Sequence, residues 1–392
     1  MKKEDIAGLL VYLVIFGFAI TFGLTVLKEF SANSGFSTGA FLGYIIGAIA
    51  AGLVFNSLIF ELGHVLGAKV GRYDILSVNV LGLMLYRKDN KLKFKLSNFD
   101  GLTGETKIKP KANTKKEPNP TPYLLFGTLF FLVEIIAVII IFVMLNEAAG
   151  GVKSNPMVRI AYFILVVGVI GFMILLYNVM PFRLDTVTDG YRLTLISNPK
   201  NKEAFNELLR VQYAIESGEK NVEIKTFTTI TNFTADLNLN KVYALLDEGR
   251  FEEALPYIDS ILDSKDTISN RTYIRTKSQK IYIDIMTKPL EEALEFYDKE
   301  VPHGERKEIS ADTSMPSIRA YILMSGLLDK SLSETELALN KVLKAYKKTN
   351  KARQEIELKL YNEALKRVIE AHPTWNLEGY LLEEKEDKKE DK

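Results

Sequence analysis

Four long apolar runs fill the first half of this 392-residue chain, and they limit its fold more than any other feature. They are Ile6 to Leu27, Gly39 to about Ala68, Thr121 to Leu145 and Ile160 to Phe182. Each reaches the roughly 20 helical residues that cross the hydrocarbon core of a bilayer. Inside that core every backbone N–H and C=O must be paired within its own segment, so each run is expected as a transmembrane helix. No small-residue cleavage site precedes Lys28 and Glu29, and the first run therefore reads as a retained span, not a signal peptide. The 47% hydrophobic content averages this half with a second half that is highly charged.

Composition narrows the chemistry. With no cysteine, disulfides and thiolate metal sites are excluded, and a metal would have to be held by carboxylates and three histidines, His64, His303 and His372. A net charge of +1 gives no support for nucleic-acid binding. Lysine and arginine crowd between the second and third runs, including Lys69, Arg72, Arg87, Lys91, Lys93, Lys95, Lys107, Lys109 and Lys111. The positive-inside rule makes that loop cytoplasmic, with both termini on the same side.

The basic loop carries β-like stretches. Ile75 to Leu81 is rich in β-branched and apolar residues, and Lys91 to Leu96 alternates strictly between lysine and apolar residues. A small hairpin or sheet at the cytoplasmic interface is expected, with Asp89-Asn90 as the turn between the two runs. A solvated loop lying on anionic lipid is the alternative.

Two polar constellations interrupt the apolar background. The second run ends in Phe60-Glu61-Leu62-Gly63-His64, which has the spacing of the zinc-protease signature HExxH with its first histidine replaced by phenylalanine. In HExxH two histidines four residues apart hold Zn²⁺ from one helix face, and the glutamate is general base to the metal-bound water. The fourth run ends in Asn178-Val179-Met180-Pro181 and continues to Asp185, Asp189 and Gly190. Pro181 breaks the helix, so either Asp185 or Asp189 would be presented on irregular backbone and could meet His64, with a new helix from near Lys202.

Together these residues resemble the site-2 protease family of intramembrane zinc metalloproteases, over roughly residues 39 to 195. The resemblance implies Glu61 as general base, His64 as the second histidine ligand, Asn178 and Pro181 as the NxxP segment, and Asp189, before Gly190, as the aspartate ligand. Asp185, after Leu184, is the runner-up. The departure is Phe60, which leaves two ligands where a catalytic zinc normally takes three plus a water. Without the metal nothing lowers the pKa of a water to near 7. The reading is therefore a protease fold without peptidase activity, and with no zinc cofactor, that binds membrane or peptide clients. The alternative is an active zinc-dependent intramembrane endopeptidase with an atypical site. Glu134, the ionisable residue deep in the third run, lies too far along its helix to replace the lost ligand, and is expected as a protonated acid bonded inside the bundle.

Beyond Pro199 the chain reads as a soluble helical region. Gly249-Arg250-Phe251-Glu252-Glu253-Ala254 joins two amphipathic segments and resembles a tetratricopeptide repeat; Pro289 to Leu294 echoes it, and Glu336 to Leu339 does so more weakly. The intervals of 39 residues (Ala254 to Ala293) and 45 (Ala293 to Ala338) exceed the roughly 34 of that repeat. A degenerate array of helical hairpins that receives a cytoplasmic protein on its concave face is expected, a plain helical bundle being the alternative. The expected class is thus mainly α: a polytopic membrane protein with about four transmembrane helices, a small interfacial β element and a C-terminal helical-repeat domain. Its parts are residues 1–199, 200–382 and a charged, disordered tail at 383–392.

Overall fold

A computed structural model describes residues 3–88, 91–97, 103–112, 116–181, 188–217, 219, 222–349 and 351–383. By internal packing the chain divides into Met1–Leu209 and Arg210–Lys392.

The first unit is built on helices that are long and apolar enough to cross a membrane, four of them among the described residues. Helix α1 (Lys3–Phe22) runs through a π-turn at Gly23–Leu27 into α2 (Lys28–Asn33). The first apolar helix thus continues past Lys28 and Glu29. Both are good helix formers, and the stop comes at Gly35, whose φ of 73° only glycine adopts without strain. Helix α3 (Thr38–Val70) starts at Ser37, whose hydroxyl accepts from the Ala40 N–H, and ends at Gly71 and the left-handed Arg72. After the sheet come α4 (Pro120–Ala148) and α5 (Pro156–Val179), each with an asparagine cap and proline in its first turn. Helix α5 stops at Val179, short of the expected Phe182, because Pro181 disfavours helix before it and Met180 is extended at ψ 127°.

Glycines let α3 and α4 touch backbone to backbone. A Cβ on Gly63 would lie 2.7 Å from the Phe126 carbonyl oxygen, and one on Gly67 would overlap the Pro122 carbonyl. Small residues four apart permit this approach between apolar helices.

Between α3 and α4 the chain forms an antiparallel sheet of β1 (Tyr73–Val80), β2 (Leu83–Lys88), β3 (Lys91–Leu96) and β4 (Gly104–Pro110), in the order β3-β2-β1-β4. The two runs expected to pair with each other do not: β2 lies between them and pairs with both. Leu81 and Gly82, at φ 49° and 91°, make the two-residue turn that pairs Val80 with Leu83. The expected Asp89-Asn90 turn lies outside the described residues. On β3, Leu92, Phe94 and Leu96 are all exposed.

Helix resumes at Asp189, not near Lys202, as α6 (Asp189–Ile196) and then α7 (Pro199–Glu216). Thr188 supplies the cap for α6, its hydroxyl accepting from the Tyr191 N–H at 3.2 Å.

The second unit comprises α8 (Asn232–Asp247), α9 (Phe251–Leu262), α10 (Asn270–Thr287), α11 (Leu290–Glu300), α12 (His303–Ala311), α13 (Met315–Leu323), α14 (Leu332–Lys348) and α15 (Lys351–Ala371). The α8–α9 turn uses Gly249 at φ 73°. One core runs through these helices, with Leu245, Ile258, Tyr282, Leu323 and Tyr361 fully or almost fully buried. Helix α15 lies across α8, α10 and α13. Its Arg353 donates to Asn240 of α8, its Glu363 accepts from Tyr282 of α10 at 3.1 Å, and its Glu357 accepts from Arg319 of α13 at 2.5 Å. The expected tail falls, after Glu383, outside the described residues.

Candidate functional site: a closed histidine–carboxylate cluster

Glu61 and His64 share one face of α3 because residues three apart on a helix are neighbours. Both are buried, with 2% and 5% of their surfaces exposed, as are Asp189 at 5% and Asn178 at 9%. Burial of this many polar groups requires partners. His64 Nε2 and Asp189 Oδ2 are hydrogen-bonded at 2.9 Å. The Asn178 amide donates to the same Oδ2 at 2.9 Å, while its carbonyl accepts from the Asp189 N–H at 3.2 Å. Asn178 therefore grips Asp189 by side chain and main chain together.

The break at Pro181 brings these residues into contact. It ends α5 at Val179, one residue after Asn178, and the Thr188 hydroxyl donates back to the Met180 carbonyl at 2.9 Å, returning the chain to the helix end. Gly190 then packs directly on the carbonyls of Val179 and Met180, where a Cβ would overlap the Val179 oxygen. Asp189 stands in the first turn of α6 rather than on irregular backbone as expected, and the positive end of the helix favours its carboxylate. Asp185, the other candidate, lies outside the described residues.

Burial by itself would raise the Asp189 carboxyl. The His64 charge and hydrogen bond, Arg192 and Asn178 outweigh it and hold the group below the usual carboxylate range. Arg192 Nη1 is 3.9 Å from Asp189 Oδ1.

Glu61 is held from the sheet side. Its Oε2 accepts from the Thr106 hydroxyl of β4 at 2.6 Å, and Tyr123 of α4 donates to the Thr106 carbonyl at 2.8 Å. Oε2 also lies 3.7 Å from His64 Nδ1, which has no hydrogen-bond partner among the described residues. Sequence reasoning missed Thr106 and Tyr123. A signal for Thr106 existed in β4, where it and Ile108 alternate with Glu105, Lys107 and Lys109.

Phe60 occupies the position of the first histidine in the motif. It is buried, with its ring edge-on to His64 at 4.4 Å between centroids and stacked on Phe131 at 5.2 Å. Gly127 makes room for it: a Cβ there would lie 2.6 Å from Phe60 Cε2. With Phe131, Ile174 and Leu175 the ring belongs to an apolar cluster. Glu134 is not brought to His64; it faces Asn56 and Gly171 instead.

A zinc ion does not fit these residues. The two remaining ligands, His64 and Asp189, are bonded to each other, the base position Glu61 is engaged by Thr106, and the position of the missing histidine ligand is a phenyl ring. Among the described residues no group of three or more His, Cys, Asp or Glu side chains is arranged to hold a metal ion. Comparison with protein families, curated proteins and solved structures finds no match to the chain.

Proposed function

We propose that this chain is a multi-pass membrane protein of site-2-protease-like descent that has lost its catalytic metal and acts by binding clients rather than cutting them. One observation carries the reading: His64 bonds directly to Asp189 at 2.9 Å, with the ring of Phe60 against its face, at the positions where the resemblance expects zinc and a second histidine. A water in this cluster has no Lewis acid to activate it, and Glu61 alone is a weak base for peptide hydrolysis. In this reading α1 to α5 cross the bilayer with the basic sheet and both termini on the cytoplasmic side.

The helical region after α7 is the part that engages a cytoplasmic protein. The face formed by α8, α10 and α13 is covered by α15, so the partner uses the outer helices α9, α11 and α14. Leu294, Leu337 and Leu343 on α11 and α14 are exposed there.

The test is Phe60→His in the detergent-purified protein. It is expected to bring zinc to about one ion per chain, because Asn178 already fixes Asp189 opposite His64. Zinc uptake with cleavage of a membrane-helix substrate would support the descent. A well-folded variant that takes up no zinc would reject it.

A further inference from the structure

A second polar site lies inside the helix bundle, two turns before His64 on α3, at about 12 Å along the helix for eight residues. Asn56 is fully buried, and both amide hydrogens are engaged, with the Gly52 carbonyl at 2.7 Å and the Val167 carbonyl at 2.9 Å. Those two bonds fix the orientation of the amide, since a flipped group would set its oxygen against two carbonyls. The Asn56 Oδ1 is thus turned away from them, buried and without a partner among the described residues. Glu134 of α4 is 8% exposed, and neither of its oxygens has a hydrogen-bond partner among the described residues.

These atoms converge on one glycine of α5. A Cβ built on Gly171 would overlap Asn56 Oδ1 and lie 3.3 Å from Glu134 Oε2. The missing side chain lets Asn56 Oδ1 and Glu134 Oε2 approach the same point on α5. Among the described residues no donor answers them, and no charged side chain acts on Glu134. Unpaired acceptors in a buried setting are destabilising, and an uncompensated carboxylate more so. Among the described residues the arrangement lacks the proton or cation that would satisfy these oxygens.

We propose that Asn56 and Glu134 form an intramembrane site for one positive charge, either a proton or a monovalent metal cation. Carboxylate and amide oxygens are the hard ligands that such ions take, and a proton on Glu134 would supply the donor that Asn56 Oδ1 lacks. Phe60 and Phe131 stack at 5.2 Å between this site and the His64 cluster, which separates the two polar centres by an apolar plug. The inference rests on the membrane placement of α3, α4 and α5 but not on protease descent.

The experiment uses the detergent-purified full chain. Its thermal unfolding midpoint is measured in sodium, potassium and choline chloride at equal ionic strength, and its infrared spectrum is recorded at neutral pH, for the native protein and Glu134→Gln. A midpoint higher in sodium or potassium than in choline, with the difference lost in Glu134→Gln, identifies a metal cation. Equal midpoints, with a carboxylic-acid carbonyl band that disappears in Glu134→Gln, identify a proton. Should Glu134→Gln not fold, Asn56→Ser is the second variant and is expected to shift the band or reduce the ion response. Equal midpoints with no acid band overturn the site. If the chain needs no detergent to stay in solution, the membrane reading fails instead.

Discussion

Thr106 decides how the Glu61 carboxyl sits, because its hydroxyl is the donor to Oε2 at 2.6 Å and both residues are buried. Replacing it by valine keeps the shape and removes that donor, leaving a buried carboxylate oxygen without its partner. Thr106→Val is expected to destabilise the first unit by about 1–3 kcal/mol, read as a lower unfolding midpoint in detergent, whereas Thr106→Ser should retain most of the stability. Equal midpoints for Thr106→Val and the native protein would show that Glu61 does not depend on β4. At this scale the sequence was informative where the signal is local. Glu61, His64, Asn178 and Asp189 each stand in a recognisable spacing, and the structure brings all four together. Thr106 and Asn56 were missed because their importance comes from what faces them across the fold, which spacing along the chain does not encode.

The elements that meet at the cluster depend on close backbone approach more than on side-chain bulk. Gly63 and Gly67 set α3 against α4, and a Cβ at Gly67 would overlap the Pro122 carbonyl. Backbone cannot give way as the end of a side chain can, so Gly67→Ala is expected to cost about 1–3 kcal/mol by overpacking and to loosen His64 from Tyr123, whose rings are 5.1 Å apart. Unchanged thermal stability in Gly67→Ala would contradict this packing. The break at Pro181 was legible as a local stop signal, whereas the caps at Ser37, Asn119 and Asn155 were not read from the sequence. The sheet was legible only in part. Leu83–Lys88 runs apolar then basic and lacks alternation, and Gly104–Pro110 offers a single large apolar residue, Ile108. Neither segment announces a strand until β1 pairs with it.

In the molecule as a whole, charged side chains are buried in both units. In the second unit Arg319 is fully buried, bonded to Glu357 at 2.5 Å and to Gln279 at 2.7 Å, with its guanidinium 4.5 Å from the centre of the Tyr282 ring. This arrangement fixes α15 onto α13 and α10. Arg319→Ala strands Glu357 and is expected to cost about 3–5 kcal/mol, while Arg319→Met with Glu357→Leu should recover most of the loss. Chemical unfolding followed by circular dichroism distinguishes the two, and equal stability of the single and double variants would contradict the pairing. The helical content of this unit was legible from its amphipathic segments and from Gly249. Coverage of the α8, α10 and α13 face by α15 was not, because nothing in the sequence of a helix states which face of a distant neighbour it will meet.

The central claim is that the His64–Asp189 cluster works without a metal, and zinc content measures it most directly. Elemental analysis of the detergent-purified chain, native and His64→Ala, should find zinc far below one ion per chain in both, with no difference between them. One zinc per native chain that is lost in His64→Ala would contradict the account and make this an active-site metal centre.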